Sequence, residues 1–269
     1  MSEAGGMTST NFRLGFHKPI NRPWQPVIYS AVDVNGTLYA VVDACILIGT
    51  VEEQEALSQR IRENGNAELL FTDPNAVLQG GAIKGASYRW KDARVPYQIA
   101  ANVPNQERIT QAIEHWHEKT AIRFIPKAAA YTDWVEFVPG GGCASYVGRR
   151  GGKQEIIIGT NCSKGNMIHE IGHCIGLYHE QSRSDRDNFV EIKWANVDPA
   201  RRHNFNLEDS ENFGPYDYGS IMHYPANAFS INNQDTILPK KPLPPGVVMG
   251  QRDGLSATDI AAVLELYPR

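Results

Sequence analysis

Hydrophobic and polar positions along the chain divide it into recognisable elements. The alternating run T37-L-Y-A-V-V-D-A-C-I-L-I-G49 reads as a strand. T50-V-E-E-Q-E-A-L-S-Q-R-I-R62 follows as a short helix, with Thr50 as cap and Glu53 three positions later to close a capping box. In N105-Q-E-R-I-T-Q-A-I-E-H-W-H-E-K119, Ile109, Ala112, Ile113 and Trp116 recur at the spacing of one helix face. W134-V-E-F-V138 and E155-I-I-I-G159 read as strands, set apart by the glycine-bearing turns G140-G-G-C and R149-R-G-G. Near the end, S256-A-T-D-I-A-A-V-L-E-L-Y267 reads as a capped helix that turns Ile260, Val263 and Leu264 inward.

The pattern changes character near residue 80. N75-A-V-L-Q-G-G-A82 is small, uncharged and glycine-bearing, which suits an exposed joint that a protease can enter. With 269 residues, 42% of them hydrophobic, the chain can bury a real core. A formal net charge of -4 gives no basic stripe for nucleic acid, and no apolar run is long enough to cross a bilayer, so neither partner is expected. The N-terminus lacks the basic and apolar regions of a secretory signal.

The chemistry concentrates in H169-E-I-G-H-C-I-G-L-Y-H-E180. On a helix His169 and His173 lie one turn apart, so two imidazoles can meet one ion with Glu170 beside them. Gly176 accepts a positive φ cheaply, and a sharp turn there can swing His179 round as a third ligand. Zinc held by three nitrogens keeps one open position for a water whose pKa falls toward neutrality, and Glu170 can take its proton. An isolated H-E-x-x-H arises by chance in about one chain in a hundred of this size, whereas the added glycine and third histidine cut that roughly a thousandfold. The longer pattern therefore carries the reading.

H169-E-I-G-H-C-I-G-L-Y-H179 is the metzincin signature, and with Glu180 after the third histidine and S220-I-M-H-Y224 downstream the chain resembles the astacin family of zinc endopeptidases. The likeness runs from about Ala82 to Tyr267, through A82-I-K-G-A-S-Y-R-W90, I122-R-F-I-P, S145-Y-V-G, D185-R-D-N-F-V and N196-V-D-P. It implies an α+β, two-subdomain metzincin core with a mixed sheet and a zinc helix, preceded by a small propeptide. Residues 1–80 would be an inhibitory prosegment and 81–269 the catalytic domain. By the same resemblance Glu170 is base and acid, Met222 forms the Met-turn, and Tyr224 is a reversible extra ligand that stabilises the oxyanion. Cleavage after Gln79 or Gly80 would place a new N-terminus at about Gly81, which pairs with Glu180. The implied protein is a secreted, monomeric zymogen with one catalytic zinc, an activating protease, and protein or peptide substrates. A non-catalytic zinc-binding or inhibitory module and a zinc amidase or esterase are the alternatives, which intact Glu170 and Tyr224 and cleavage profiling respectively address.

Astacin propeptides usually present an aspartate to the zinc from an F-x-G-D motif. Here D43-A-C-I stands in that place, which resembles bacterial astacins with a cysteine-switch propeptide. A thiolate is a good zinc ligand, so Cys45 can fill the open position. On an extended strand Asp43 and Cys45 would face the same side, which leaves an Asp43 cap and simple burial of Cys45 as competing readings. Cys143 and Cys162 match a family disulfide, implying an oxidising compartment; a second family bond has no cysteine here, Ala121 occupying one of its positions. Cys174, beside His173 but off its face, reads as packing, with a Cys45–Cys174 disulfide left open. His17, His115, His117 and His203 are expected to be solvated or hydrogen-bonded, and His223 follows the resemblance and need not touch zinc. R183-S-D-R-D187 suggests an ion-pair network whose pairings sequence cannot assign.

Overall fold

A computed structural model of the chain describes residues 13–17, 25–64, 85–208 and 210–268. The joint at 75–82, including Gln79, Gly80, Gly81 and Ala82, lies outside the described residues.

Nine strands form one mixed sheet, in the order β1-β2-β3-β4-β8-β9-β7-β5-β6. The first four are β1 (Arg13–His17), β2 (Gln25–Val34), β3 (Thr37–Val42) and β4 (Ile46–Thr50), paired antiparallel, and α1 (Val51–Asn64) follows them. The other five are β5 (Arg94–Ile99), β6 (Arg123–Pro126), β7 (Trp134–Pro139), β8 (Cys143–Ser145) and β9 (Lys153–Ile158). Here β5, β6, β7 and β9 run parallel to their partners, while β8 returns antiparallel on β9. The two groups meet where β4 pairs parallel with β8, Ile46 opposite Ser145, and Ser145 N–H donates to Cys45 O at 2.9 Å.

The apolar run 37–49, read as one strand, is in fact the hairpin β3–β4. Asp43 and Ala44 have φ of 49° and 65°, so Asp43, Ala44 and Cys45 form a turn. Asp43 and Cys45 therefore do not share the face of an extended strand, and the expected equivalence between them fails. Left-handed backbone at Ala44 is unusual for a residue with a Cβ, and its place at this tip gives the turn a fixed shape that the packing around it must hold.

Helix α1 starts as its sequence indicates. Glu53 N–H donates to Thr50 Oγ1 at 3.1 Å, and Thr50 N–H donates to Glu53 Oε2 at 2.7 Å, which closes the capping box. Helices α2 (Glu107–Lys119) and α3 (Lys164–Cys174) pack on each other and on the sheet. Ile109, Ala112, Ile113 and Trp116 are buried among Val135, Phe137, Ile156 and Ile158. In the last helix, α4 (Ala257–Leu266), Ser256 and Asp259 form a second capping box. Val263 is buried as expected and Ile260 partly so. Leu264 is 52% exposed and not inward; Leu266 and Tyr267 take its place, because the buried stripe follows i, i+3, i+4 from Val263.

Beyond α3 the chain builds a separate apolar cluster from Val190, Ile192, Val197, Phe205, Tyr224 and Ile237, with the two-stranded sheet of β10 (Val190–Ile192) and β11 (Ile237–Pro239). The upstream segment shares two further clusters with the rest. Val32, Val34, Val41 and Leu47 pack against Val138, Ala144 and Ile157, while Val27, Tyr29, Ala40, Val42, Ile46 and Ile48 pack with Val147 and Tyr178. Apolar burial thus fastens β2–β4 to the rest of the sheet, with the β3–β4 tip pointing at α3.

Candidate metal centre

Helix α3 opens with a capping box in which Ser163 Oγ accepts from Asn166 N–H and Asn166 Oδ1 accepts from Ser163 N–H. It carries His169 and His173 one turn apart and ends at Ile175, where Gly176 with φ of 110° reverses the chain. The reversal is what the glycine permits, and it brings His179 back beside the helix. The three imidazoles are almost wholly buried, with ring centroids 4.7 to 5.2 Å apart.

Hydrogen bonds fix the tautomer of two of them. His169 Nδ1 lies 2.8 Å from Ile221 O, and His173 Nδ1 lies 2.8 Å from Leu177 O. A carbonyl only accepts, so each Nδ1 carries the proton and each Nε2 offers a bare lone pair. Burial pushes the pKa of His173 down to about 4 and lowers those of His169 and His179 well below the ordinary range, reinforced in His179 by the other two rings. All three are neutral at physiological pH, the form that ligates metal.

Cys45 occupies the fourth corner. Its Sγ is 3.6 Å from His169 Nε2, 3.4 Å from His173 Nε2 and 3.3 Å from His179 Nε2. For a tetrahedral zinc with bonds of about 2.0 Å to nitrogen and 2.3 Å to sulfur, sulfur–nitrogen separations come to about 3.5 Å. Three nitrogens and one sulfur at this spacing fit that ion. Among the described residues the group that converges is Cys45, His169, His173 and His179; the Asp43 carboxylate is not part of it. Burial first, then the Glu170 carboxylate, raises the Cys45 thiol well above its ordinary pKa, so the thiolate form needs a cation beside it.

Glu170 is 1% exposed and its Oε2 has no hydrogen-bond partner. Burial raises its pKa well above the usual carboxylate range, opposed by Arg252. Gly172 lets Met222 come close: a Cβ there would stand 2.6 Å from Met222 Sδ. Tyr224 sets its ring 4.5 Å from that of His179 at a tilt of 53°, and its hydroxyl donates to the main-chain carbonyl of Asp43 at 2.7 Å. Asp43 thus reaches the site through its carbonyl; its buried carboxyl is pushed up to about 7.

The remaining expected residues fall around this centre. Glu180 Oε1 accepts from Asp217 N–H at 2.8 Å and from Arg183 Nη1 at 3.3 Å, yet burial outweighs Arg183 and drives its pKa to about 8. Arg183 forks onto Asp185 with two contacts of 2.9 Å, and Arg186 pairs with Asp187 at 2.7 Å, which assigns the ion pairs of the run 183–187. Cys143 and Cys162 are joined by a disulfide, whereas Cys45 and Cys174 are both free and buried, so no Cys45–Cys174 bond exists. His115 Nε2 accepts from Leu255 N–H, His117 Nε2 from Phe124 N–H, and His223 Nε2 lies 2.8 Å from Tyr216 Oη, consistent with non-ligand roles for these three histidines.

Residues 82–268 match the model of the peptidase family described as Astacin. The chain belongs to the astacin family. Among curated astacin relatives, it is 42% identical over 197 residues to zinc metalloproteinase nas-13 of Caenorhabditis elegans, which covers 71% of this chain and 43% of that protein. It is 39% identical over 223 residues to high choriolytic enzyme 1 of Oryzias latipes, covering 77% of this chain and 81% of that one. The solved structure of that hatching enzyme zinc-protease superposes with a TM-score of 0.65 at 40% identity, covering 70% of this chain and 98% of the other. The chain spans less than half the length of nas-13 and, at 37%, of nas-15 from the same worm. The α+β core with its mixed sheet is that of an astacin, a family of enzymes that use one catalytic zinc, and this chain gathers a histidine-rich site of the kind a metal ion needs.

Sequence reasoning missed three contributors. Arg252 and Asp259 both hold Ile221, next to Met222, and the Asp43 carbonyl holds Tyr224. Asp259 was visible only as the third residue of a capped helix. Arg252 lies in a loop with no periodicity, and no sequence signal marks it.

Proposed function

We propose that this chain is a latent zinc endopeptidase in which residues 1–80 are an inhibitory prosegment and 81–269 the catalytic domain. The observation that carries the reading is Cys45 Sγ at 3.3 to 3.6 Å from three histidine Nε2 atoms, on a turn supplied from upstream of the family domain. His169, His173 and His179 would hold the metal, with Cys45 as the fourth ligand of the latent form. Bound zinc supplies Lewis-acid polarisation of a peptide carbonyl and lowers the pKa of water.

The chain's own groups supply the rest. Glu170 takes the proton from the attacking water and returns it to the leaving amine; its unpartnered Oε2 is the atom free to do so. Tyr224 is the donor that would meet the developing oxyanion, and the Asp43 carbonyl occupies that hydroxyl now. The prosegment therefore blocks twice, filling the metal's open corner with Cys45 and the oxyanion donor with Asp43. Glu180, driven to about 8 because burial leaves its charge poorly compensated, is the partner for an ammonium such as the N-terminus freed near Gly81. The Cys143–Cys162 disulfide supports an oxidising, extracellular setting, and among the described residues no helix is long and apolar enough to cross a membrane. Protein or peptide substrates, an activating protease and a monomeric state complete the proposal.

The test is hydrolysis of an unstructured protein after cleavage within 65–84 and removal of the prosegment, beside Glu170→Gln. Peptide-bond cleavage is expected in the parent and a loss of about 10²-fold or more in the variant, with zinc still bound. Zinc binding with no hydrolysis by the freed domain would favour the non-catalytic module, and cleavage of esters or small amides alone would favour the amidase or esterase.

A further inference from the structure

Arg252 reaches back from the loop before α4 to the turn that carries Met222. Its Nη1 donates to Ile221 O at 3.0 Å, to His223 O at 3.3 Å and to Gln251 O at 2.8 Å. Ile221 and His223 are the two residues flanking Met222, so one nitrogen spans the Met-turn. Ile221 O is also the carbonyl that accepts the Nδ1 proton of His169 at 2.8 Å. A carbonyl oxygen has two lone pairs, and here one is used by the ligand histidine and the other by a cation.

The surroundings leave this arrangement little freedom. A Cβ on Gly165, in the first turn of α3, would stand 1.9 Å from Arg252 O, so the Arg252 backbone is pressed directly on the zinc helix. The other end of the same residue is held from α4: Asp259 Oδ2 accepts Ile221 N–H at 2.9 Å, and Asp259 Oδ1 accepts Ser220 Oγ–H at 2.6 Å. The Ile221 main chain is thus held at its nitrogen by a carboxylate and at its oxygen by a guanidinium.

We propose that Arg252 is a positioning residue of the metal centre, setting the direction of the Ile221 carbonyl and through it the aim of His169 Nε2. The inference rests on the zinc reading of the site, though not on peptide hydrolysis. Bonds from a charged donor are stronger than neutral ones, and outer partners of ligating histidines set ring orientation and basicity. Without Arg252, His169 keeps its carbonyl, but the carbonyl loses the group that aims it. The bare electrostatic effect has the opposite sign: removing a positive charge near a dication should tighten zinc binding. The sign of the change therefore separates positioning from simple charge.

The experiment uses the intact chain and measures zinc affinity by competition with a fluorescent chelator, together with the visible absorption of the cobalt-substituted protein. Arg252→Met is expected to weaken zinc about 10- to 100-fold and to alter the cobalt spectrum, as loss of an outer-shell partner does elsewhere. Arg252→Lys keeps the charge without the planar fork, and it is expected to fall between the two. Ile113→Val, in the core face of α2, controls for general destabilisation and should lower the melting temperature with zinc affinity and cobalt spectrum unchanged. Unchanged or tighter zinc binding in Arg252→Met overturns the proposal; if that variant does not fold, wild-type affinity and spectrum in Arg252→Lys overturn it equally. Since zinc is read directly, a chain that binds zinc normally but fails to cleave peptides leaves this proposal standing and refutes only the peptidase reading.

Discussion

Leu47 tests whether a cut in the joint is enough to release the upstream segment. Its side chain is fully buried between Val32, Val34 and Val41 on one side and Val138, Ala144 and Ile157 on the other. Strands β1–β4 and α1 are joined to the rest by this cluster, by the Val147 and Tyr178 contacts, by the β4–β8 pairing with its Ser145–Cys45 hydrogen bond, by Cys45 among the three histidines, and by the Tyr224–Asp43 bond. These contacts are made from residues 27–48, so a cut within 65–84 leaves them intact and the segment should stay in place as a bound inhibitor. Truncating a fully buried leucine costs about 2–5 kcal/mol, the larger values arising where the site cannot collapse. Even 2 kcal/mol shifts the equilibrium about 30-fold, with part of the loss falling on the segment's own packing. The assay is a chain with a specific protease site placed within 65–84, cut to completion, then followed by gel filtration and proteolytic activity across a dilution series. The parent is expected to stay associated and largely inactive at micromolar concentration, while Leu47→Ala releases the segment and gains activity at least about tenfold more readily. Identical dissociation in parent and variant would refute the reasoning, since it would mean that the shared core does not hold the segment.

Other outcomes follow from the same contacts. Tyr224→Phe removes the donor to Asp43 O, so the cut segment should dissociate more readily by about 1 kcal/mol, while activity of the freed domain should fall about 10²- to 10³-fold; unaltered activity of the freed domain would remove Tyr224 from catalysis. For the metal-free chain, His173 has an ordinary pKa of 6.5 when unfolded and about 4 when folded. The unfolded chain therefore binds the extra proton between those values, and stability should fall as pH drops from about 6.5 to about 4, by up to about 3 kcal/mol for this group. Asp43 and Glu180, raised to about 7 and about 8, act in the opposite sense, so the check is the difference in denaturant midpoint between the parent and His173→Gln, both with chelator, at pH 7.5, 5.5 and 4.5; the difference should shrink as pH falls, and a constant difference would contradict it.

Much of the site was legible because local rules and chemistry coincide there. The spacing of His169 and His173 follows from the helix period, Gly176 does carry the positive φ that turns the chain, and Thr50 with Glu53 and Ser256 with Asp259 form the boxes their spacing implies. The hairpin at Asp43–Cys45 was not legible. Its flanks are uniformly apolar because both strands are covered, and its turn uses Asp43 and Ala44 in left-handed backbone where sequence rules look for glycine or asparagine. Leu264 reads inward with Ile260 and Val263 in the capped helix, although the buried positions run through Val263, Leu266 and Tyr267. Arg252 was invisible for a different reason: its role depends on a carbonyl shared with His169, a contact set by tertiary structure alone.

The central claim is that Cys45 closes the zinc tetrahedron of the latent chain, and zinc K-edge X-ray absorption on the intact protein tests it most directly. Three nitrogen neighbours at about 2.0 Å and one sulfur at about 2.3 Å are expected, with the sulfur lost in Cys45→Ala. A shell of nitrogen and oxygen alone in the intact chain would contradict the claim and return Cys45 to a packing role.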